Sequence, residues 1–212
     1  MKKLFYIGAM SALLLTACGV EKAEVTDNAQ EESAKAKEKE SEQAKEEEKK
    51  AKQEAKEAEK IAKQKEYFVK NTQPAIEEWT KSYDQLWEKL WKPTFEAIGN
   101  GSTDVYAAYD NMKALKEGYR ELSVKKSVPV EGLSKEQKKD VKEAMSQLNY
   151  AAASRQMAAE KAMEMFDKGN FAPSQMDKIK SDITASDSQI LKGIAGITTL
   201  KQELGLIEDV KK

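Results

Sequence analysis

The 212-residue sequence contains no histidine and a single cysteine. The first absence removes the Ser-His-Asp triad, imidazole general-base chemistry and His-ligated metal sites. The second removes internal disulfides and Cys-rich zinc or iron–sulfur sites. Proline occurs 4 times and glycine 10 times, too rarely for an all-β protein built on many turns. Phosphate-cradling glycine motifs and EF-hand spacing are also missing. Neither sign of charge dominates: 36 basic and 37 acidic residues leave a net charge of -1, without the basic excess of a nucleic-acid binder. What the chain has instead is charge density. Charged residues make up 34% of it, which is too polar for a chain that is core throughout.

That charge is unevenly placed. Residues 1–20 carry only Lys2 and Lys3, whereas residues 21–66 hold 15 acidic and 12 basic residues. The remainder is balanced. Three regions follow: an apolar leader over 1–17, a charged tract over 18–66 and a domain over 67–212.

In the leader, two lysines precede an apolar run from Leu4 to Leu15, followed by small residues and Cys18. This is the order of an export signal. The run is shorter than the ~20 residues a spanning helix needs. Leu15-Thr16-Ala17-Cys18 resembles the lipobox of bacterial lipoproteins, an aliphatic residue and two small ones before cysteine. The resemblance covers the leader alone. It implies diacylglyceryl on Cys18, cleavage between Ala17 and Cys18, and a lipid-anchored protein on the extracytoplasmic side of a cell membrane. The competing readings are an ordinary secreted protein or an uncleaved anchor, either with a stray thiol. Arginine occurs only as Arg120 and Arg155, a bias toward lysine that points to an AT-rich Gram-positive genome.

Between Glu21 and Glu66, Val25 and Ile61 are the only apolar residues larger than alanine. No core can form there. Ala, Glu, Lys and Gln favour helix, and Glu48–Lys52 and Glu59–Lys63 are i,i+4 pairs in the favourable order. A solvated helix and a disordered spacer both fit. The helix would reach ~68 Å at ~1.5 Å per residue, the coil about 40 Å.

The domain reads as all-α, an antiparallel up-down bundle of about four helices. Asn71-Thr72-Gln73-Pro74 reads as a break before a helix over 75–98. Asn100-Gly101 turns the chain into a second helix reaching about Lys125, capped by Ser102, Thr103 or Asp104. Ser134 and Gln137 form a capping box for a third helix to about Lys168, stopped by Gly169. Pro173 opens a fourth, ending near Leu204. Each carries an apolar stripe at steps of three and four.

In an antiparallel hairpin, facing residues have a constant index sum. Six apolar pairs of helices three and four, among them Phe166 with Met176 and Leu148 with Ile194, share the value 342. Arg155 and Asp187 share it too, and are expected to face one another as an ion pair.

Trp79, Tyr83, Trp87, Trp91 and Phe95 recur every fourth residue. A four-residue step overshoots a helical turn by ~40°, so the stripe drifts. Trp91 and Phe95 are expected beyond the edge of the core. With Trp87 they are the candidate contact for an envelope protein or a cell-wall polymer; the competing reading makes them core. Glu160, Glu164 and Asp167 bring carboxylates together, but on a lysine-rich helix they read as solvated surface. No catalytic residue, metal, cofactor or nucleic-acid partner is expected. The sequence thus describes a tethered, non-enzymatic binding module, with a purely structural spacer as the rival.

Overall fold

The computed structural model describes residues 28–208, apart from Thr103 and Lys126, with side chains from residue 46 onward. Among the described residues every regular element is helical, and the fold is an all-α bundle. The elements are α1 (Asn28–Tyr67), α2 (Gln73–Leu86), α3 (Lys92–Gly99), α4 (Val105–Ser123), α5 (Lys135–Asp167) and α6 (Pro173–Glu203). The chain falls into two units, one ending at Lys52 and one spanning Gln53–Lys212. In the first unit residues 46–52 are exposed, and Lys52 pairs with Glu48 at 2.6 Å.

The second unit begins ahead of the Tyr67 boundary read from composition. Gln64 is buried and Lys65 donates to the Gly205 carbonyl, so the last turns of α1 belong to the bundle.

No break separates α1 from α2. The helix runs on through a π-turn at Phe68–Thr72, and a second π-turn, Trp87–Trp91, joins α2 to α3. Each lies just ahead of a proline, Pro74 or Pro93. Proline lacks an N–H and crowds the carbonyl four residues before it. A turn closed on the fifth residue, Gln73 to Phe68 and Lys92 to Trp87, absorbs that misfit without ending the helix. The expected break over 71–74 is therefore a widened turn.

Four legs of chain alternate in direction. On the first leg and α4, Trp79 reaches Leu122, Tyr83 meets Tyr119, and Thr94 is bonded to Asn111. The pairs Lys161–Asp182, Arg155–Asp187 and Ala151–Ser186 run the same way between α5 and α6. Asp104 caps α4 through Ala107 N–H, and Ser134 forms the capping box of α5 with Gln137.

α5 is the central helix, buried along three adjacent heptad rows that include Ala144, Ala151, Ala152, Ala158, Ala159 and Ala162. Small side chains there let α6 come close. Its buried residues are Ile179, Ser186, Gly193, Ile197 and Leu200. A Cβ on Gly193 would collide with Leu148. Of the apolar stripe read from the sequence, Ile179, Ile197 and Leu204 are buried, whereas Ile194 is 46% exposed.

Candidate functional site

All four legs meet around Arg155. Its Nη2 donates to Asp187 Oδ1 at 2.6 Å, its Nε donates to Tyr83 Oη at 3.2 Å, and its Cζ lies 3.6 Å from the centre of the Trp87 ring. The guanidinium is buried, while the Asp187 carboxylate is about half exposed. Nη1 is buried without a partner.

The hydroxyls form a directed chain. Ser186 Oγ donates to the Ala151 carbonyl at 2.7 Å, so its proton is committed. Tyr83 O–H therefore donates to Ser186, and Arg155 N–H to Tyr83. Tyr119 O–H donates to the Tyr83 carbonyl at 3.2 Å. Burial pushes the Tyr119 phenol well above its ordinary range. Arginine cannot accept a proton, and every hydroxyl proton here is already engaged. This arrangement holds helices in register.

An aromatic ladder leaves this cluster. Trp87 stacks on Trp91 at 4.8 Å and Trp91 on Phe95 at 4.5 Å. Phe95 then meets Phe166 at 6.0 Å, and Phe166 meets Phe171 at 6.1 Å. Of the three candidate contact residues, Trp87 and Phe95 are half buried, and Trp91 is only 8% exposed. The exposure expected at Trp91 is corrected by the π-turn. Within it each residue advances by less than in an α-helix, opposing the ~40° drift, so Trp91 returns to the core face.

The ladder surfaces at Phe171, 50% exposed, in the turn between α5 and α6. The start of α4 is at the same end of the bundle, where Val105 is 43% and Tyr106 85% exposed. The last turn of α1 packs at the opposite end, through Lys65 on Gly205 and Tyr67 on Glu131. Tyr106 and Phe171 were not singled out by the sequence reading. Their signal was that Tyr106 lies off its helix's apolar stripe and that Phe171 occupies a turn, both poor places to bury a ring.

The carboxylates near the end of α5 are matched by lysines: Glu160 with Lys116 at 2.7 Å and Glu164 with Lys168 at 3.6 Å. Among the described residues no three Cys, Asp or Glu side chains gather as a metal site. No described helix is long and apolar enough to cross a membrane. Cys18 and the leader lie outside the described residues. Comparison of the chain with protein-family models, curated proteins and solved structures finds no match.

Proposed function

We propose that the chain is a lipid-anchored extracytoplasmic protein whose bundle is a non-enzymatic binding module. The lipobox at Leu15-Thr16-Ala17-Cys18 supports the anchor. One structural observation carries the binding role: an aromatic ladder that runs through the core and emerges at the end of the bundle opposite to Lys65 and Tyr67. A tethered domain gains most from a contact surface at its free end. Exposed aromatic groups there offer large contact area at small entropic cost, the usual make-up of a protein-binding anchor. The partner is an envelope protein in this reading.

A photo-crosslinking amino acid at Tyr106 or Phe171, with one at Lys49 as control, tests it in intact cells. The expected result is one discrete adduct from the first two positions and not from the third. The same products from all three, or none, would leave a structural spacer as the better account. Retention on isolated wall instead, lost in Phe171→Ala, would make the contact a polysaccharide one.

A further inference from the structure

The exposed end of the aromatic ladder carries a charge imbalance that the chain as a whole lacks. Lys116 bonds Glu160 between the antiparallel α4 and α5. Seven residues outward from that pair, Tyr109 is level with Asp167, the last residue of α5. Val105 and Tyr106 lie about one turn further out, level with the connection that carries Phe171. The three exposed apolar side chains therefore share one tip of the bundle.

Segments 95–106 and 164–178 build that tip. Within them Glu164 is paired with Lys168. Their other charged residues are Glu96, Asp104, Asp167 and Asp177 against Lys178, an excess of three negative charges. All five are exposed. The backbone does not offset this excess, because α4 and α6 begin here while α3 and α5 end here, so the helix dipoles oppose one another. One turn deeper, Lys92–Glu88, Lys116–Glu160 and Lys161–Asp182 are pairs. Asp110, Lys113 and Lys180 complete that layer and leave the excess negative. The whole chain stands at only -1, so the imbalance belongs to the tip.

Charge then selects the occupant. Among the described residues the carboxylates do not gather as a metal site. An anionic polymer or lipid headgroup is repelled, and so is a second copy meeting tip to tip. A polypeptide segment with lysine or arginine beside an apolar side chain is attracted on three counts. Its cations face the carboxylates, its aliphatic atoms cover the exposed rings, and a cation over the Tyr106 or Phe171 ring face gains further.

We propose that the Phe171 tip takes a lysine- or arginine-rich segment of its protein partner, seated on Val105, Tyr106 and Phe171 within the ring of carboxylates. The proposal rests on the reading that this tip is the contact surface.

Full-length protein in phosphatidylcholine nanodiscs, titrated with dye-labelled acetyl-Lys-Lys-Leu-Lys-Lys-amide and followed by anisotropy, tests it. Saturable binding is expected. It should weaken about tenfold between ~0.1 and ~1 M salt, over which the Debye length falls from ~10 to ~3 Å. Glutamate in place of the peptide's lysines should abolish binding. Asp167→Lys with Asp177→Lys should weaken the lysine peptide about tenfold and admit the glutamate peptide. The unfolding midpoint should stay level, because both side chains are exposed. If that double variant fails to fold, Tyr106→Ala decides, since its ring is 85% exposed and its loss should weaken binding several-fold. No binding of the lysine peptide at millimolar concentration, binding indifferent to salt, equal binding of the glutamate peptide, or unweakened binding by both variants overturns the proposal. So does a crosslink from Tyr106 or Phe171 to a second copy of this chain. Any such peptide result alongside a discrete adduct with another protein at those two positions removes the cationic partner alone and leaves the contact surface standing.

Discussion

Arg155 and Asp187 form an ion pair whose two ends differ in solvation. The guanidinium is buried and the carboxylate half exposed. Removing the arginine frees a carboxylate that water can solvate. Removing the aspartate strands a guanidinium whose Nη1 already lacks a partner. Asp187→Ala should therefore cost about 1–3 kcal/mol, the range for an unsatisfied buried polar group, and Arg155→Met less. The double variant should be more stable than Asp187→Ala alone. Urea unfolding of the three proteins checks this order, and simple addition of the two single losses would show the residues uncoupled.

Tyr119 gives a second test at the same scale. Its phenol is held above the ordinary value near 10.0 by burial. Below about pH 10 the folded and unfolded states bind the same proton. Above it the unfolded tyrosine loses the proton first, so the unfolded state binds fewer protons and stability falls as pH rises, by up to about 1.4 kcal/mol per pH unit. Tyr119→Phe should flatten that part of the alkaline stability curve, measured by denaturant titration from pH 9 to 11; an unchanged slope would count against a perturbed Tyr119.

Among the elements, glycine separates close packing from mere tolerance. A Cβ on Gly193 would meet Leu148 side-chain atoms and lie 3.1 Å from the Ala144 carbonyl oxygen, whereas one on Gly196 meets only the Ala144 methyl at 3.3 Å. Alanine gains about 1 kcal/mol of helix propensity at either site. Overpacking at Gly193 should outweigh it, at about 1–3 kcal/mol. Gly193→Ala should thus lower the melting temperature and Gly196→Ala leave it level or higher. Equal effects would mean α5 and α6 are not in this register.

The helix count, the caps at Asp104 and Ser134 and the alternation of direction were legible because stripes and capping residues act locally. The burial of Ser186 and Gly193 on α6 was not. Hydrophobic stripes credit isoleucine, and Ser186 and Gly193 are buried because they are small opposite alanines. Nor was the path through Pro74 and Pro93, since proline reads as a stop unless the turn before it widens. One widened turn moved Trp91 from the expected surface to the core, so the exposed end of the ladder had to be found in the folded chain, at Phe171.

At the scale of the whole molecule, two truncations place the boundary of the bundle. Removal of residues 21–52 should leave the unfolding midpoint unchanged. Removal of residues 21–66 should lower it, because Gln64 is buried and Lys65 bonds to Gly205. Identical midpoints would return the boundary to Tyr67.

In the proposed function this bundle is the outer part of a membrane-tethered protein, and the tether depends on one thiol. The most direct measurement is metabolic labelling with an alkyne-bearing palmitate, followed by membrane fractionation of wild type and Cys18→Ser. The wild type should carry label and sediment with membranes, and the serine form should carry none and leave them or remain unprocessed. Label on the Cys18→Ser form, or an unlabelled wild type in the soluble fraction, would contradict a lipid-tethered module.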